Sequence, residues 1–260
     1  MSPSHRARKR FGQHFLTATN VVSDIVHSVA ATSDDTLVEI GPGLGALTIP
    51  LAATGAELHA IEFDRDLAAT LRKRFAGCAN VTIHEGDALR FDYATLGNDL
   101  RIVSNLPYNI STPVLFRLIE YRNHIRDMHL MLQKEVVDRM AASPGSKSFG
   151  RLSIMLGCHM QVHPLFDVPP EAFSPPPKVV SAVVALRPLP ASTYRIADSR
   201  SLSTLVARAF SQRRKTVRNA LKSVVNDEML ASAGIDPSAR PEQIPIDNWV
   251  QLANAFVSNT

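Results

Sequence analysis

The 260-residue sequence has only two cysteines, one tryptophan and 6% aromatic residues. Cys78 and Cys158 lie far apart, which leaves neither a disulfide framework nor a cysteine-rich zinc site. A reduced, cytoplasmic setting is the expectation that follows. No run of about 18 apolar residues exists, so no membrane-spanning helix is expected. Repeats with a period of roughly 20–50 residues are also missing, which excludes solenoids and propellers. The basic start of the chain is interrupted by Gly12, Gln13 and His14, and does not read as a secretory signal. What is present is ordinary globular composition, 45% hydrophobic and 20% charged, in a chain long enough for one large domain or two smaller ones.

Acidic residues are missing from two stretches in particular. Residues 1–10 carry Arg6, Arg8, Lys9 and Arg10, and residues 199–222 carry Arg200, Arg208, Arg213, Arg214, Lys215, Arg218 and Lys222, with no acid in either. Setting these eleven aside leaves 17 of the 28 basic residues against all 24 acids, a body of net charge about −7. The overall +4 therefore hides two concentrated basic segments, the footprint of a polyanion partner.

Short apolar runs alternate with amphipathic stretches. Strands are expected at Thr36–Ile40, Glu57–Ile61, Val81–His84, Arg101–Ser104 and Met128–Leu132. Helices are expected at Leu44–Ala53, Asp64–Phe75, Pro113–Tyr121 and Lys134–Ala142. This alternation predicts an α/β fold, a mostly parallel Rossmann-like sheet with helices on both faces. Leu152–His159 and Val179–Leu186, joined by a proline-rich loop, read as an antiparallel hairpin closing one edge. After Pro188 and Pro190 the pattern turns helical, over Ser201–Ser223, Asp227–Gly234 and Asp247–Val257. The expected division is a domain over residues 1–188 and a small all-α domain over residues 189–260.

Glu39-Ile40-Gly41-Pro42-Gly43-Leu44-Gly45 falls where the first of these strands turns into a helix. Glycines there let backbone N–H groups approach a ligand at the C-terminal edge of a parallel sheet. Glu62 follows the second strand, placed to accept hydrogen bonds from both ribose hydroxyls. Asp87, after the third, is placed to accept from an adenine amino group. Either acid alone would read as a surface residue or a helix cap; together with the glycine loop they point to a nucleoside-bearing cofactor. NAD(P) and S-adenosylmethionine both fit at this point.

Ser104-Asn105-Leu106-Pro107-Tyr108-Asn109 opens on the same edge. A dehydrogenase needs a proton donor or a metal near the hydride acceptor, and this loop has neither. It suits an exocyclic amine on a planar base instead. The Asn105 side-chain oxygen and the Leu106 carbonyl can accept two amine hydrogens, drawing the nitrogen lone pair out of conjugation. Pro107 stiffens the turn, and Tyr108 can stack on the base or face a sulfonium.

These motifs resemble the ribosomal RNA adenine N6,N6-dimethyltransferase family, which includes the bacterial kasugamycin-sensitivity enzymes and their antibiotic-resistance cousins. The resemblance rests on Asn105-Leu106-Pro107-Tyr108-Asn109-Ile110-Ser111, the Gly41–Gly45 loop and Arg10-Phe11-Gly12-Gln13-His14-Phe15-Leu16. It extends through Gln133–Val137, Phe173-Ser174-Pro175-Pro176-Pro177-Lys178-Val179 and Phe210-Ser211-Gln212-Arg213-Arg214-Lys215-Thr216, the last two fitting the bacterial housekeeping branch. It implies a class I methyltransferase sheet, S-adenosylmethionine as cofactor and no metal. His14, Leu16, Gly41 and Gly43 would hold the cofactor's methionine end, Glu62 the ribose and Asp87 the adenine. Asn105, Leu106, Pro107 and Tyr108 would form the catalytic loop, Asn105 spanning the cofactor and the target amine, with Phe173 stacking the target base from its second face. One position departs from the family pattern: His14 stands where Asn is usual, a change that a backbone contact survives and a side-chain amide contact does not.

By the same resemblance the substrate is a pair of adjacent adenines in the 3′-terminal hairpin of 16S ribosomal RNA, modified on the assembling 30S subunit by a cytoplasmic monomer. Arg8, Lys9 and Arg10, with Arg213, Arg214, Lys215, Arg218 and Lys222, are the expected RNA contacts. The competing expectations are a methyltransferase of the same fold acting on DNA adenine or a protein amide, and an RNA-binding assembly factor in which methylation is secondary.

Overall fold

A computed structural model describes residues 14–258 of the chain. It contains two compact units. The first runs to Val137 and resumes over His163–Pro188; the second comprises Asp138–Val162 and the chain from Leu189 onward.

In chain order the elements are β1 (Phe15–Leu16), α1 (Thr19–Val29), β2 (Thr36–Ile40), α2 (Thr48–Ala52), β3 (Glu57–Glu62), α3 (Arg65–Arg74), β4 (Val81–Glu85), β5 (Leu100–Asn105) and α4 (Ser111–Glu120). They continue with β6 (Ile125–Gln133), α5 (Lys134–Met140), α6 (Arg151–Gly157), β7 (Met160–Val168), β8 (Phe173–Ser174) and β9 (Ser181–Pro188). The main sheet has the order β4-β3-β2-β5-β6-β9-β7. Its first five strands run parallel and β9 pairs antiparallel with β6. β2 and β5 are nearly all buried, as strands covered on both faces must be. The apolar core below the cofactor edge joins Val21, Ile25 and Val29 of α1 to Leu37, Leu58, Val103 and Val183 of the strands. α3 is capped by Asp64, which accepts from Asp66 N at 3.0 Å, and ends on Arg72, Lys73 and Arg74, which complement the helix dipole.

The edge hairpin differs from the expected one. Leu152–His159 is not a strand; most of it is α6, and the strand is β7, which begins at Met160. A short apolar run fits a buried helix as well as a buried strand, and local capping decides here. Ser153 Oγ accepts from Gly150 N at 3.0 Å and donates to the Arg139 carbonyl. β7 lies at the sheet edge, where Pro164 removes no ladder hydrogen bond that is needed.

The second unit adds α7 (Ser199–Ser211), α8 (Val217–Leu221), α9 (Asp227–Ser232) and α10 (Ile246–Ser258). The stretch expected as one helix over Ser201–Ser223 breaks between α7 and α8, where Thr216 caps α8 by accepting from Asn219 N. Asp138–Val162, expected in the sheet domain, packs with these helices. Phe149 is fully buried, α6 lies against α7 and α10, and Gly145 N donates to Glu242 O at 2.7 Å. A Cβ at Gly157 would sit 2.6 Å from the Ile246 Cδ1 methyl, so a larger residue there requires that side chain to move.

Candidate active site

The C-terminal ends of β2, β3, β4 and β5 share one edge, and backbone bonds carry the sheet into its loops. Gly41 N donates to Ile61 O at 2.9 Å, Gly86 N to Glu62 O at 2.9 Å and Leu106 N to Met131 O at 3.1 Å. Strand order reverses between β2 and β5, where an open α/β sheet leaves a crevice for ligands. Two adjoining cavities of about 90 and 280 Å³ occupy that position. His14, Leu16, Glu39, Gly43, Asn105, Leu106 and Tyr108 line the first, and Phe63, Asp64, Gly86, Asp87 and Ile110 the second; Gly41, Glu62 and Pro107 border both.

Gly41 and Gly43 have φ of +66° and +59°, a conformation that side chains strain. A Cβ on Gly43 would also sit 3.3 Å from the Phe15 ring. The loop therefore turns tightly along the first cavity, and its glycine amides bond within the chain, Gly41 N to Ile61 O and Gly45 N to Pro42 O. Gly43 N donates to Glu62 Oε2 at 3.0 Å, while Asp64 N donates to Oε1 at 2.8 Å. Burial raises the Glu62 carboxyl above its ordinary value, opposed by these N–H donors. Backbone N–H donors thus fix the orientation of the carboxylate on the border of both cavities. At the neighbouring strand end, Asp87 Oδ1 accepts from Leu89 N at 2.9 Å, which fixes the turn that carries it along the second cavity.

Glu39, on the wall of the first cavity, was not singled out from the sequence as a site residue. Its Oε2 is buried without a hydrogen-bond partner among the described residues. Burial pushes its carboxyl up to about 8; the Thr48 hydroxyl opposes this and the Glu62 charge adds to it. A buried carboxyl with an unused oxygen on a cavity wall is an acceptor held in reserve for a cationic or N–H-bearing ligand. Phe63 was missed as well. It is 62% exposed on the second cavity, an apolar ring offered beside Asp87.

The Asn105 loop has the geometry that amine recognition needs. Asn105 Nδ2 donates to the His14 backbone carbonyl at 3.2 Å, which leaves Oδ1 as the free acceptor. This contact within the chain uses the His14 backbone carbonyl, which any residue at that position supplies. The His14 ring donates from Nδ1 to Pro175 O at 2.7 Å and lies 5.7 Å from the Tyr108 ring. Tyr108 is fixed at its far end by a 2.7 Å bond between its hydroxyl and Ser181 Oγ. Burial raises the Tyr108 phenol, which stays neutral.

The remaining expected site residues lie away from the two cavities or outside the described residues. Phe173 lies on neither cavity wall: it is 4% exposed, belongs to the apolar core, and pairs through β8 with Leu16. Its ring supports β1 and offers no open face to a base. Among the C-terminal cations, Arg218 forms a two-bonded ion pair with Asp227, and Arg213 donates to Lys147 O at 2.7 Å with Glu242 3.7 Å away. Arg214, Lys215 and Lys222 are exposed. Arg8, Lys9 and Arg10 lie outside the described residues.

A Rossmann-like sheet with a glycine loop, two strand-end acids and an Asn-Leu-Pro-Tyr loop defines a class I methyltransferase that acts on an amine. Within that class, residues 4–257 match the model of the ribosomal RNA adenine dimethylase family, and the chain belongs to that family. It is 52% identical over 250 residues to ribosomal RNA small subunit methyltransferase A of Dechloromonas aromatica, covering 96% of this chain and 98% of that one. It is 53% identical over 253 residues to the protein of the same name from Alcanivorax borkumensis, covering 96% and 90%. Among solved structures it resembles a dimethyladenosine transferase from Plasmodium falciparum, with TM-score 0.81, 26% identity and coverage of 94% and 98%.

Proposed function

We propose that this protein transfers methyl groups from S-adenosylmethionine to the N6 amines of two adjacent adenines in the 3′-terminal hairpin of 16S ribosomal RNA, on the assembling small subunit. The observation that carries this reading is the Asn105 side chain, which lines the cavity beside the glycine loop and is anchored through Nδ2, leaving Oδ1 to accept. The cavities suit the cofactor along their whole length. Glu39 Oε2 is an unpartnered acceptor for the methionine ammonium, Glu62 is oriented for the ribose, and Asp87 and Phe63 flank the place of the adenine. Bound there, S-adenosylmethionine supplies a methyl group on a positively charged sulfonium, and the electron pair of the broken S–C bond stays on sulfur.

The chain's own residues arrange the acceptor. Asn105 Oδ1 and the Leu106 carbonyl take the two amine hydrogens, which frees the N6 lone pair to point along the cavity. Pro107 and the Tyr108–Ser181 bond hold the loop to that geometry, an orientation effect that needs no nucleophilic side chain. The proton left on the product nitrogen departs to water. Stacking on Tyr108 offsets about 1–3 kcal/mol of the cost of unstacking the adenine. Arg214, Lys215 and Lys222 are the exposed cations of the second unit that meet RNA phosphates. Neutralising all three lowers RNA affinity and flattens its salt dependence.

The test is incubation with tritiated S-adenosylmethionine and small subunits from a strain that lacks the modification, followed by nuclease digestion. Label in N6,N6-dimethyladenosine supports the reading. Label in another nucleoside, or only in protein, overturns it.

A further inference from the structure

β3 and β4 carry two histidines that the methyl-transfer chemistry does not use. His59 Nδ1 lies 3.1 Å from His84 Nε2, and His59 Nε2 lies 3.3 Å from Glu57 Oε1. These contacts fix the protons. Glu57 accepts, so His59 carries its hydrogen on Nε2; Nδ1 is then bare, and His84 donates to it from Nε2. The order is a directed chain from His84 to His59 to Glu57.

His84 also supports the adenine end of the site. It precedes Asp87 by three residues on the same strand end, and its ring meets Phe91 edge-on, 5.3 Å between centroids at 70°. Phe91 N and Arg90 N both donate to Asp87 O at 2.9 Å, and Phe91 O accepts from Arg117 at 3.3 Å. The turn carrying Asp87 thus rests on the His84 ring through Phe91.

We propose that His84 is a positioning residue for the adenine-binding turn, and that its bond to His59 is a proton-sensitive latch. The bond needs one bare nitrogen between the rings. One added proton still leaves an imidazolium donating to a bare nitrogen; a second makes two cations in contact, which frees the His84 ring and loosens the Asp87 turn. The charged neighbours sharpen the response. From α3, Arg72 pairs with Glu85 of β4 at 3.2 Å and adds positive charge near His84. Glu57 on β3 faces His59 Nε2 at 3.3 Å, and Asp87, Arg90 and Tyr93 belong to the turn itself. Burial, the neighbouring His59 and Arg72 all hold the His84 imidazole below its ordinary value, so the latch stays closed at neutral pH.

This inference rests on the assignment of Asp87 to the cofactor's adenine. Its test is calorimetric binding of S-adenosylhomocysteine at pH 8 and pH 5.5 to wild type, His84→Gln and His84→Leu, with kcat measured at saturating cofactor. Glutamine keeps an N–H toward His59 and does not titrate. H84Q should bind like wild type at pH 8 and lose at least about threefold less affinity on going to pH 5.5. H84L should bind about fivefold more weakly at pH 8, with kcat unchanged. Glu62 titrates in all three proteins, so the difference between profiles is the readout. Identical pH profiles for wild type and H84Q, or wild-type affinity in H84L at pH 8, overturn the latch. If H84L does not fold, His59→Asn keeps an acceptor facing His84 and should show the same flattened profile. Failure of wild type to bind S-adenosylhomocysteine at pH 8 would instead overturn the cofactor assignment.

Discussion

The two ends of the central sheet are chemical opposites built on the same strands. At the N-terminal end, just before β2 and at the start of β5, every buried charge has a partner. Arg101 donates to Asp127 and Asp35 at 3.0 Å and to the Val29 carbonyl, and Arg126 closes on Asp35. Burial raises the Asp35 carboxyl, but Thr32 N–H, Arg126 and Arg101 outweigh it and bring it down to about 2. At the C-terminal end the same strands carry Glu39, pushed up to about 8 with a bare oxygen, and Asn105, whose Oδ1 is left open. One end is satisfied within the chain and holds the fold together. The other carries unsatisfied acceptors on a cavity wall at a cost in stability, which is where the proposed function puts the ligand.

This contrast can be broken at either end. The largest effect belongs to Arg101→Met. It takes the arginine from buried Asp127 and leaves Asp35 with Arg126 and the Thr32 N–H, and should cost about 3–5 kcal/mol in urea denaturation, with kcat of the folded fraction unchanged. The pH dependence has a definite sign there. Asp35 is depressed, so its contribution is present above the ordinary carboxylate range and is lost as pH falls from about 4 towards 2. Asn105→Ala should reverse the pattern, lowering methyl transfer by roughly 10²–10³-fold while leaving the unfolding midpoint and cofactor affinity near wild type.

Glu39→Gln sharpens the comparison further. A carboxyl raised in the folded state loses stability as pH climbs from about 4.5 to 8, because only the native state still holds the proton. The variant should therefore be more stable than wild type at pH 8, by about 2–3 kcal/mol after relaxation around the charge is discounted, and should match it near pH 4.5. It should also bind cofactor more weakly, since a carboxylate gives way to a neutral amide. The smallest effect is Tyr108→Phe. It loses the 2.7 Å bond to Ser181 but keeps the ring, and a kcat reduction of about fivefold in the same methyl assay is expected.

The active end was the more legible in sequence because its chemistry is local. A strand followed at once by Gly41-Pro42-Gly43, by Glu62, by Gly86-Asp87 or by Asn105-Leu106-Pro107-Tyr108 places its own residues at the sheet edge whatever the rest of the chain does. The satisfied end could not be read that way. Arg101, Asp35 and Asp127 come from three separate segments, and only the register of β5 on β6 and on β2 brings them together. Glu39 was visible as a motif residue, but its missing partner is a property of packing. The same limit explains the departures. Leu152–His159 is apolar enough for strand or helix until Ser153 caps α6, and Phe173 disappears into the core through its pairing with Leu16. The basic stretch gave its charges correctly, but only the fold reveals Asp227 beside Arg218, or the Lys147 carbonyl beneath Arg213.

The most direct test of the central claim is primer extension along small-subunit RNA from a strain lacking this activity, restored with either the wild-type chain or Asn105→Ala. The account predicts strong stops at two adjacent adenines near the 3′ end with the wild-type chain and read-through with the variant. Read-through with both, or equal stops with both, would contradict it.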